Sequence, residues 1–126
     1  MSMRTPLSRA RGLGSARTGT EHWWLQRVTA IANLPLVLFM IGFVVAHLGA
    51  TRAELAASVH HPIVAILLAA AFLSVLWHMR LGMQVIIEDY VHTPALKLAA
   101  LLFNTFFTLL LGVAALYAII TMALGT

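Results

Sequence analysis

Three long apolar stretches, separated by short polar segments, dominate the pattern of residues along the chain. Residues 28–48 and 98–124 carry no formal charge, and residues 62–87 are interrupted only by His78 and Arg80. A helix of about 20 apolar residues crosses a hydrocarbon core of about 30 Å, because it rises about 1.5 Å per residue. The pattern therefore predicts an all-α membrane protein with three transmembrane helices, at about 26–48, 62–87 and 96–124.

Residues that favour helix starts precede each stretch. Thr18 and Glu21 have the spacing of a capping box, in which each side chain binds the other's backbone N–H. Pro62 and Pro94 stand where the first residue of a helix would lie, and Thr93 is placed to cap the helix that Pro94 begins. These signals predict helices that begin shortly before the apolar stretches.

A few residues inside the stretches are unusual for a membrane helix. Pro35 has no backbone N–H, so it predicts either a kink or a free carbonyl near Ile31 in the first helix. Asn33 and Asn104 carry amides into the first and third stretches, and we expect them to join helices by hydrogen bonds.

Basic residues are distributed unequally around the three stretches. Residues 1–27 contain five arginines, whereas residues 49–61 contain one basic residue and the carboxyl terminus contains none. Since basic residues accumulate on the cytoplasmic side, we expect a cytoplasmic amino terminus and a periplasmic carboxyl terminus. Trp23 and Trp24 fit an aromatic belt at the inner interface.

Composition narrows the class further. The 126 residues are 61% hydrophobic and 10% charged, against about 25% charged in soluble domains. The absence of cysteine excludes disulfides and cysteine-ligated iron–sulfur clusters within the chain. Residues 1–19 lack the apolar core of a secretory signal and predict a flexible basic cytoplasmic tail that lies against anionic lipid. The sequence lacks a basic surface with aromatic platforms, so it does not indicate nucleic-acid binding.

His78 is the main candidate for chemistry, because an ionisable group inside a membrane helix is costly and suggests a function. At about 100° per residue, His78, Gly82, Val85 and Asp89 share one helix face, along which a flat cofactor could lie. A neutral imidazole is a common axial ligand of haem, and Gly82 leaves room for a porphyrin edge. The alternatives are a structural hydrogen bond from His78 and close helix packing at Gly82.

A low-spin haem b needs two axial ligands, and the sequence offers no obvious second one. His47 lies near the outer end of the first stretch, about 15 Å from the depth of His78 by helical rise. The remaining histidines belong to interfaces or loops, where solvated or capping roles are expected: His22, His60, His61 and His92. If haem is bound, the second ligand should come from another polypeptide.

Polar residues gather at the inner end of the second stretch. Tyr90 can donate a hydrogen bond to a quinone carbonyl, and Asp89 can orient a cation or relay protons, although an interfacial aromatic and a solvated helix end are the simpler roles. Arg27, on the same side, can hold a carboxylate such as a haem propionate, or reach lipid phosphate. Arg80 is predicted to face away from His78, with no assigned role.

The sequence resembles the D subunit of succinate dehydrogenase, the small hydrophobic anchor of respiratory complex II, over about residues 15–124. The stronger motif is HxxxGxxxxxxDY, formed by His78, Gly82, Asp89 and Tyr90. The second is TEHWWLQRVTAIANLPL at residues 20–36, which includes Arg27 and is similar to the beginning of the family's first helix.

The resemblance implies specific roles for these residues. It implies that His78 is one axial ligand of haem b, with the other on the large cytochrome b556 anchor, called the C subunit. Tyr90 would hydrogen-bond ubiquinone, Asp89 would lie beside it, Arg27 would lie near the haem propionates, and Gly82 would pack against the haem. Two positions depart from the family pattern: His22 is offset by a residue, and Arg80 occupies a position that is not basic in the family.

The resemblance also implies partners and a location. The chain would anchor a flavoprotein and an iron–sulfur protein at the bacterial inner membrane, in a complex that oxidises succinate and reduces quinone. The chain by itself would not be an enzyme, because succinate and flavin are handled by other subunits. The rival interpretations are a fumarate reductase anchor and a small channel or transporter component with His78 and Arg80 on a polar path.

Overall fold

A computed structural model describes residues 5–11 and 18–125, and its elements are all helical. Five helices follow one another: α1 (Pro6–Ala10), α2 (Thr18–Ala46), α3 (Arg52–Val59), α4 (Pro62–Tyr90) and α5 (Pro94–Leu124). The three long ones are long and apolar enough to cross a membrane, over Thr20–Ala46, Pro62–Tyr90 and Pro94–Leu124. The predicted all-helical chain with three such helices is therefore confirmed.

Helix starts agree with the proline signals. Pro62 and Pro94 are the first residues of α4 and α5, where the missing N–H costs nothing because it would have no partner in the helix. Thr93 occupies the N-cap position of α5, but its side chain makes no capping hydrogen bond, so that part of the prediction is wrong. α2 begins at Thr18 itself, whose side chain lies outside the described residues, so the predicted capping box with Glu21 stays a prediction.

Helix ends differ from the prediction in two places. α2 ends at Ala46, so Leu48 lies in the turn that follows rather than in the helix. α4 continues to Tyr90, so Asp89 and Tyr90 are its last residues rather than residues beyond its end. α2 continues through Pro35, and the predicted kink there stays a prediction.

The short helix α3 was not predicted and lies in the connection between α2 and α4. Thr51 caps it: its hydroxyl oxygen accepts the Glu54 backbone N–H at 3.3 Å, and its own N–H donates to the Glu54 carboxylate at 2.7 Å. Thr51 and Glu54 thus form a complete capping box, within the sequence TRAE. The Thr51 backbone N–H and the Thr51 hydroxyl, which donates to the same carboxylate at 2.9 Å, lower the pKa of Glu54 because they favour its charged form.

α4 lies at the centre of the bundle. It packs against both α2 and α5, which have no α-carbon pair within 8 Å of each other among the described residues. Between α4 and α5, the Asn104 side-chain amide donates to the Arg80 backbone carbonyl at 3.0 Å. Within α5, the Thr108 hydroxyl donates to the Asn104 backbone carbonyl at 2.7 Å. The predicted helix-joining role of Asn104 is confirmed, whereas Asn33 Oδ1 is buried and has no hydrogen-bond partner among residues 5–11 and 18–125.

The two ends of the bundle are chemically distinct. We call them the Arg27 end, where α2 begins and α4 ends, and the His47 end, which α3 covers. At the His47 end, Val59 is 2% exposed and packs with Leu68 and Ile119. His47 Nε2 lies 2.7 Å from Ser58 Oγ, which ties α2 to α3.

Candidate functional site

One face of α2 carries a row of polar side chains that points toward α4. The row consists of residues spaced by three or four positions, which places them on one helix face, and all are half-buried: His22, Gln26, Thr29 and Asn33. His78 of α4 meets the middle of this row, with its Nδ1 2.9 Å from Thr29 Oγ1. The row was not recognised in the sequence, although its three-and-four spacing within an apolar helix was the signal for it.

His78 is half-buried, and its two ring nitrogens have different surroundings. Nδ1 is hydrogen-bonded to the Thr29 hydroxyl, and that hydroxyl also donates to the Leu25 carbonyl at 2.8 Å and the Gln26 carbonyl at 3.1 Å. Nε2 makes no hydrogen bond to any residue of the described part of the chain. One nitrogen is therefore held in place while the other remains open to a ligand.

An open hollow of about 210 Å³ lies beside His78 at the contact of α2 and α4. Its lining residues include His78 and Arg27, which the sequence singled out separately, together with Trp23, Gln26 and Ala30. The Arg27 guanidinium lies over the Trp23 ring, 4.7 Å from its centre, and residues 5–11 and 18–125 place no carboxylate in an ion pair with it. The hollow thus combines an accessible imidazole nitrogen with a cation that can meet an anionic group.

Gly82 lies one turn from His78 on the same face of α4. A β-carbon added at Gly82 would meet only Gln26 Nε2, at 3.9 Å, which is an ordinary van der Waals contact. Close packing of α2 against α4 therefore does not require a glycine here.

Asp89 and Tyr90 are the last two residues of α4, and neither of them lines the hollow beside His78. Both are exposed, Tyr90 to 77%, and by helical rise Tyr90 is about 18 Å from His78 along α4. The adjacent Glu88 carbonyl accepts a hydrogen bond from Lys97 Nζ at 2.8 Å, which holds the start of α5 against the end of α4. The structure thus separates the predicted site residues into two groups: His78 with Arg27 of α2 at the hollow, and Asp89 with Tyr90 at the end of α4.

Arg80 has a partner within its own helix. Its guanidinium lies 5.3 Å from the centre of the Trp77 ring, and its backbone carbonyl receives the Asn104 amide. Arg80 does not line the hollow that contains His78.

The other histidines occupy different surroundings. His47 Nδ1 donates to the Phe43 carbonyl at 2.7 Å, and His60 Nδ1 donates to the Ala123 carbonyl at 2.8 Å, both at the His47 end. His60 and His61 occupy the C-cap of α3 and the N-cap of α4, but the His61 side chain makes no capping hydrogen bond; His92 is exposed. His22 Nε2 is buried and has no hydrogen-bond partner in the described part of the chain.

No group of three or more metal-binding side chains occurs among the described residues. A cavity of about 490 Å³ at the His47 end is lined only by apolar side chains, so it offers no polar chemistry.

These features define a multi-pass membrane protein of three long helices, with an open hollow beside His78 where α2 meets α4. The sequence matches the family model described as succinate dehydrogenase/fumarate reductase transmembrane subunit over residues 1–123, and the chain belongs to this family.

Several related proteins resemble the chain over most of its length. The succinate dehydrogenase hydrophobic membrane anchor subunit of Paracoccus denitrificans is 36% identical over 122 residues, which cover 96% of this chain and 93% of that protein. The subunit of the same name from Rickettsia bellii is 34% identical over 116 residues, 92% of this chain and 93% of that protein. No solved structure matches the chain.

Proposed function

We propose that the chain is the hydrophobic membrane anchor subunit of a succinate:quinone oxidoreductase, respiratory complex II, in a bacterial inner membrane. Family membership and the names of the relatives support the anchor role. The arginines of residues 1–27 favour a cytoplasmic amino terminus. The partners would be the large cytochrome anchor, an iron–sulfur subunit and a flavoprotein subunit, which hold the remaining cofactors.

The observation that carries the haem proposal is the hollow shared by His78 and Arg27. The unpartnered Nε2 of His78 would bind the iron, and Arg27 would hold a propionate by charge-assisted hydrogen bonds. Gly82 would leave the porphyrin edge its space. When bound, haem b supplies a one-electron carrier, and the second axial ligand would come from the large anchor subunit.

The quinone proposal rests on the exposed end of α4. Tyr90 would donate its phenolic proton in a hydrogen bond to a ubiquinone carbonyl, and Asp89 beside it would orient charge or pass protons to that site. Both side chains lie at the Arg27 end, which the positive-inside rule places on the cytoplasmic side. The chain would supply part of the quinone pocket and would not be an enzyme alone.

The decisive experiment is purification of the native membrane complex followed by a reduced-minus-oxidised spectrum and a subunit inventory. We expect a b-type haem spectrum with flavoprotein and iron–sulfur subunits present. His78→Leu should abolish the haem signal, while His92→Leu, which changes an exposed histidine outside the site, should retain it. A complex without haem b or flavoprotein would contradict the proposal.

A fumarate reductase anchor is the second candidate, because the matching family model covers both enzymes. The direction of catalysis depends on potentials set by all subunits. Rates of the purified complex with succinate and ubiquinone, compared with fumarate and a low-potential quinol, distinguish the two. A transport role finds less support, since Arg80 and His78 do not share a hollow.

A further inference from the structure

The Thr29 hydroxyl contacts three groups at the centre of the α2–α4 interface. Its oxygen lies 2.8 Å from the Leu25 carbonyl oxygen, 3.1 Å from the Gln26 carbonyl oxygen and 2.9 Å from His78 Nδ1. A hydroxyl has one hydrogen to donate and two lone pairs to accept with, whereas a carbonyl oxygen only accepts. A threonine inside a helix commonly donates to the carbonyl four residues earlier, which here is that of Leu25.

Which ring nitrogen of His78 carries the proton depends on where the Thr29 hydroxyl directs its hydrogen. With its hydrogen directed to the backbone, Thr29 offers His78 a lone pair, and only a protonated Nδ1 can use it. A neutral imidazole has one N–H, so Nε2 then keeps its lone pair. In the opposite arrangement the hydroxyl would donate to Nδ1 and the proton would lie on Nε2, which could not bind a metal.

Thr29 is also suited to hold the ring in one orientation. Its branched β-carbon restricts χ1, and the backbone hydrogen bond fixes the hydroxyl direction. Metal-binding histidines are commonly oriented by a hydrogen bond from the ring nitrogen that does not bind the metal, and such a bond makes the ligating nitrogen more basic.

We propose that Thr29 is a positioning residue that sets the tautomer and orientation of His78, so that Nε2 faces the iron of the haem. This inference rests on the proposed role of His78 as a haem ligand. A more basic ligand stabilises ferric over ferrous iron, so the Thr29 hydrogen bond should lower the midpoint potential of the haem.

The test compares Thr29→Val, which removes the hydroxyl but keeps the branched shape, with Thr29→Ser, which keeps the hydroxyl. Both are assembled into the complete complex, and the haem-to-flavin ratio, the midpoint potential and the ferric EPR spectrum are measured. We expect Thr29→Val to weaken haem retention about 10- to 100-fold and to raise the midpoint potential. Thr29→Ser should remain close to the original protein in both measurements.

The outcomes separate this inference from the proposed function. A native complex that contains no haem b would contradict the proposed function. If the native complex contains haem b, and Thr29→Val leaves the haem potential and haem retention unchanged, only the role of Thr29 is overturned. A purely structural role would lower the yield of complex without moving the potential. If Thr29→Val does not assemble, Thr29→Ala replaces it; failure of both, with Thr29→Ser intact, would also overturn the positioning role.

Discussion

Gly82 allows a test between two roles of a glycine, space for a haem and close packing of helices. Close packing does not require a glycine here, because an added β-carbon would meet only Gln26 Nε2, at 3.9 Å. We expect Gly82→Ala to leave assembly intact and to lower the haem-to-flavin ratio of the complex, since the methyl group occupies the space that the porphyrin edge would need. Gly42→Ala is the matched control, because a β-carbon there meets nothing within 4 Å. Unchanged haem content in Gly82→Ala would contradict haem packing at this residue.

Tyr90 offers a second test at the scale of one residue. Its side chain is 77% exposed, so Tyr90→Phe should leave the stability of the complex within about 0.5 kcal/mol of the original. Loss of one hydrogen bond of about 1 kcal/mol should slow quinone reduction about fivefold.

The controls for Tyr90→Phe are an assay and a variant. Succinate oxidation with an artificial electron acceptor that bypasses the membrane subunits should be unaffected. Tyr117→Phe, at a similarly exposed tyrosine of α5, should keep the original quinone rate. Equal quinone rates in both variants would remove Tyr90 from the quinone site.

Individual residues show where sequence reasoning succeeds and where it stops. His78 was identified because an imidazole inside an apolar helix is costly, and Arg27 because a cation opens the first span. Thr29 was missed, because its contact with His78 depends on how α2 and α4 are rotated against each other. Periodicity assigns a residue to a face of its own helix but does not define the neighbour that the face meets. Asn33 illustrates the same limit. It was expected to join helices, but its buried Oδ1 has no hydrogen-bond partner among the described residues.

At the scale of elements, helix starts were predictable where proline fixes them. Pro62 and Pro94 begin α4 and α5 as expected, whereas the end of α4 was placed too early because Glu88 and Asp89 are polar. A helix can continue with polar residues after it leaves the apolar layer of the membrane. The change from apolar to polar residues therefore marks the membrane boundary and not the end of the helix. The helix α3 was missed because eight residues carry too little periodicity to distinguish them from a loop.

The capping box of α3 supports a prediction about pH. Hydrogen bonds from Thr51 lower the pKa of Glu54, so the folded state favours the charged carboxylate. The resulting stabilisation is present above the ordinary pKa of a glutamate and is lost as pH falls through the lowered pKa of the folded state. Amide hydrogen exchange of α3 should therefore accelerate, relative to the intrinsic rate, in that acidic range.

Thr51→Ala removes the hydroxyl that accepts the Glu54 N–H, and should make exchange in α3 several-fold faster already at neutral pH. Thr121→Ser, which keeps a hydroxyl in α5, is a control from another helix. Equal protection of α3 before and after the Thr51 change would contradict a stabilising role for the cap.

At the scale of the whole molecule, the proposed haem site would need a ligand from a neighbouring chain. The hollow beside His78 is open, and no other histidine lines it. We expect the chain produced without the large anchor subunit to show no low-spin haem b spectrum, and coexpression to restore it. A spectrum typical of two histidine ligands from this chain alone would contradict a shared site.

The outward surface of α2 is consistent with that expectation. Its large apolar side chains are mostly exposed, including Ile31 at 73%, so in the membrane they meet lipid or another helix. The three-helix topology could be predicted from the sequence because the bilayer sets the length of each apolar stretch. The arrangement of the complex could not, because its contacts involve other chains.

The central position of α4 has a mechanical consequence. His78 and Tyr90 belong to the same uninterrupted helix, so their separation of about 18 Å is set by helical pitch and not by loop lengths. If these residues serve the two ends of an electron path, insertions in the connections before or after α4 leave the tunnelling distance between those ends unchanged. Only a break or an added turn within α4 itself would alter it.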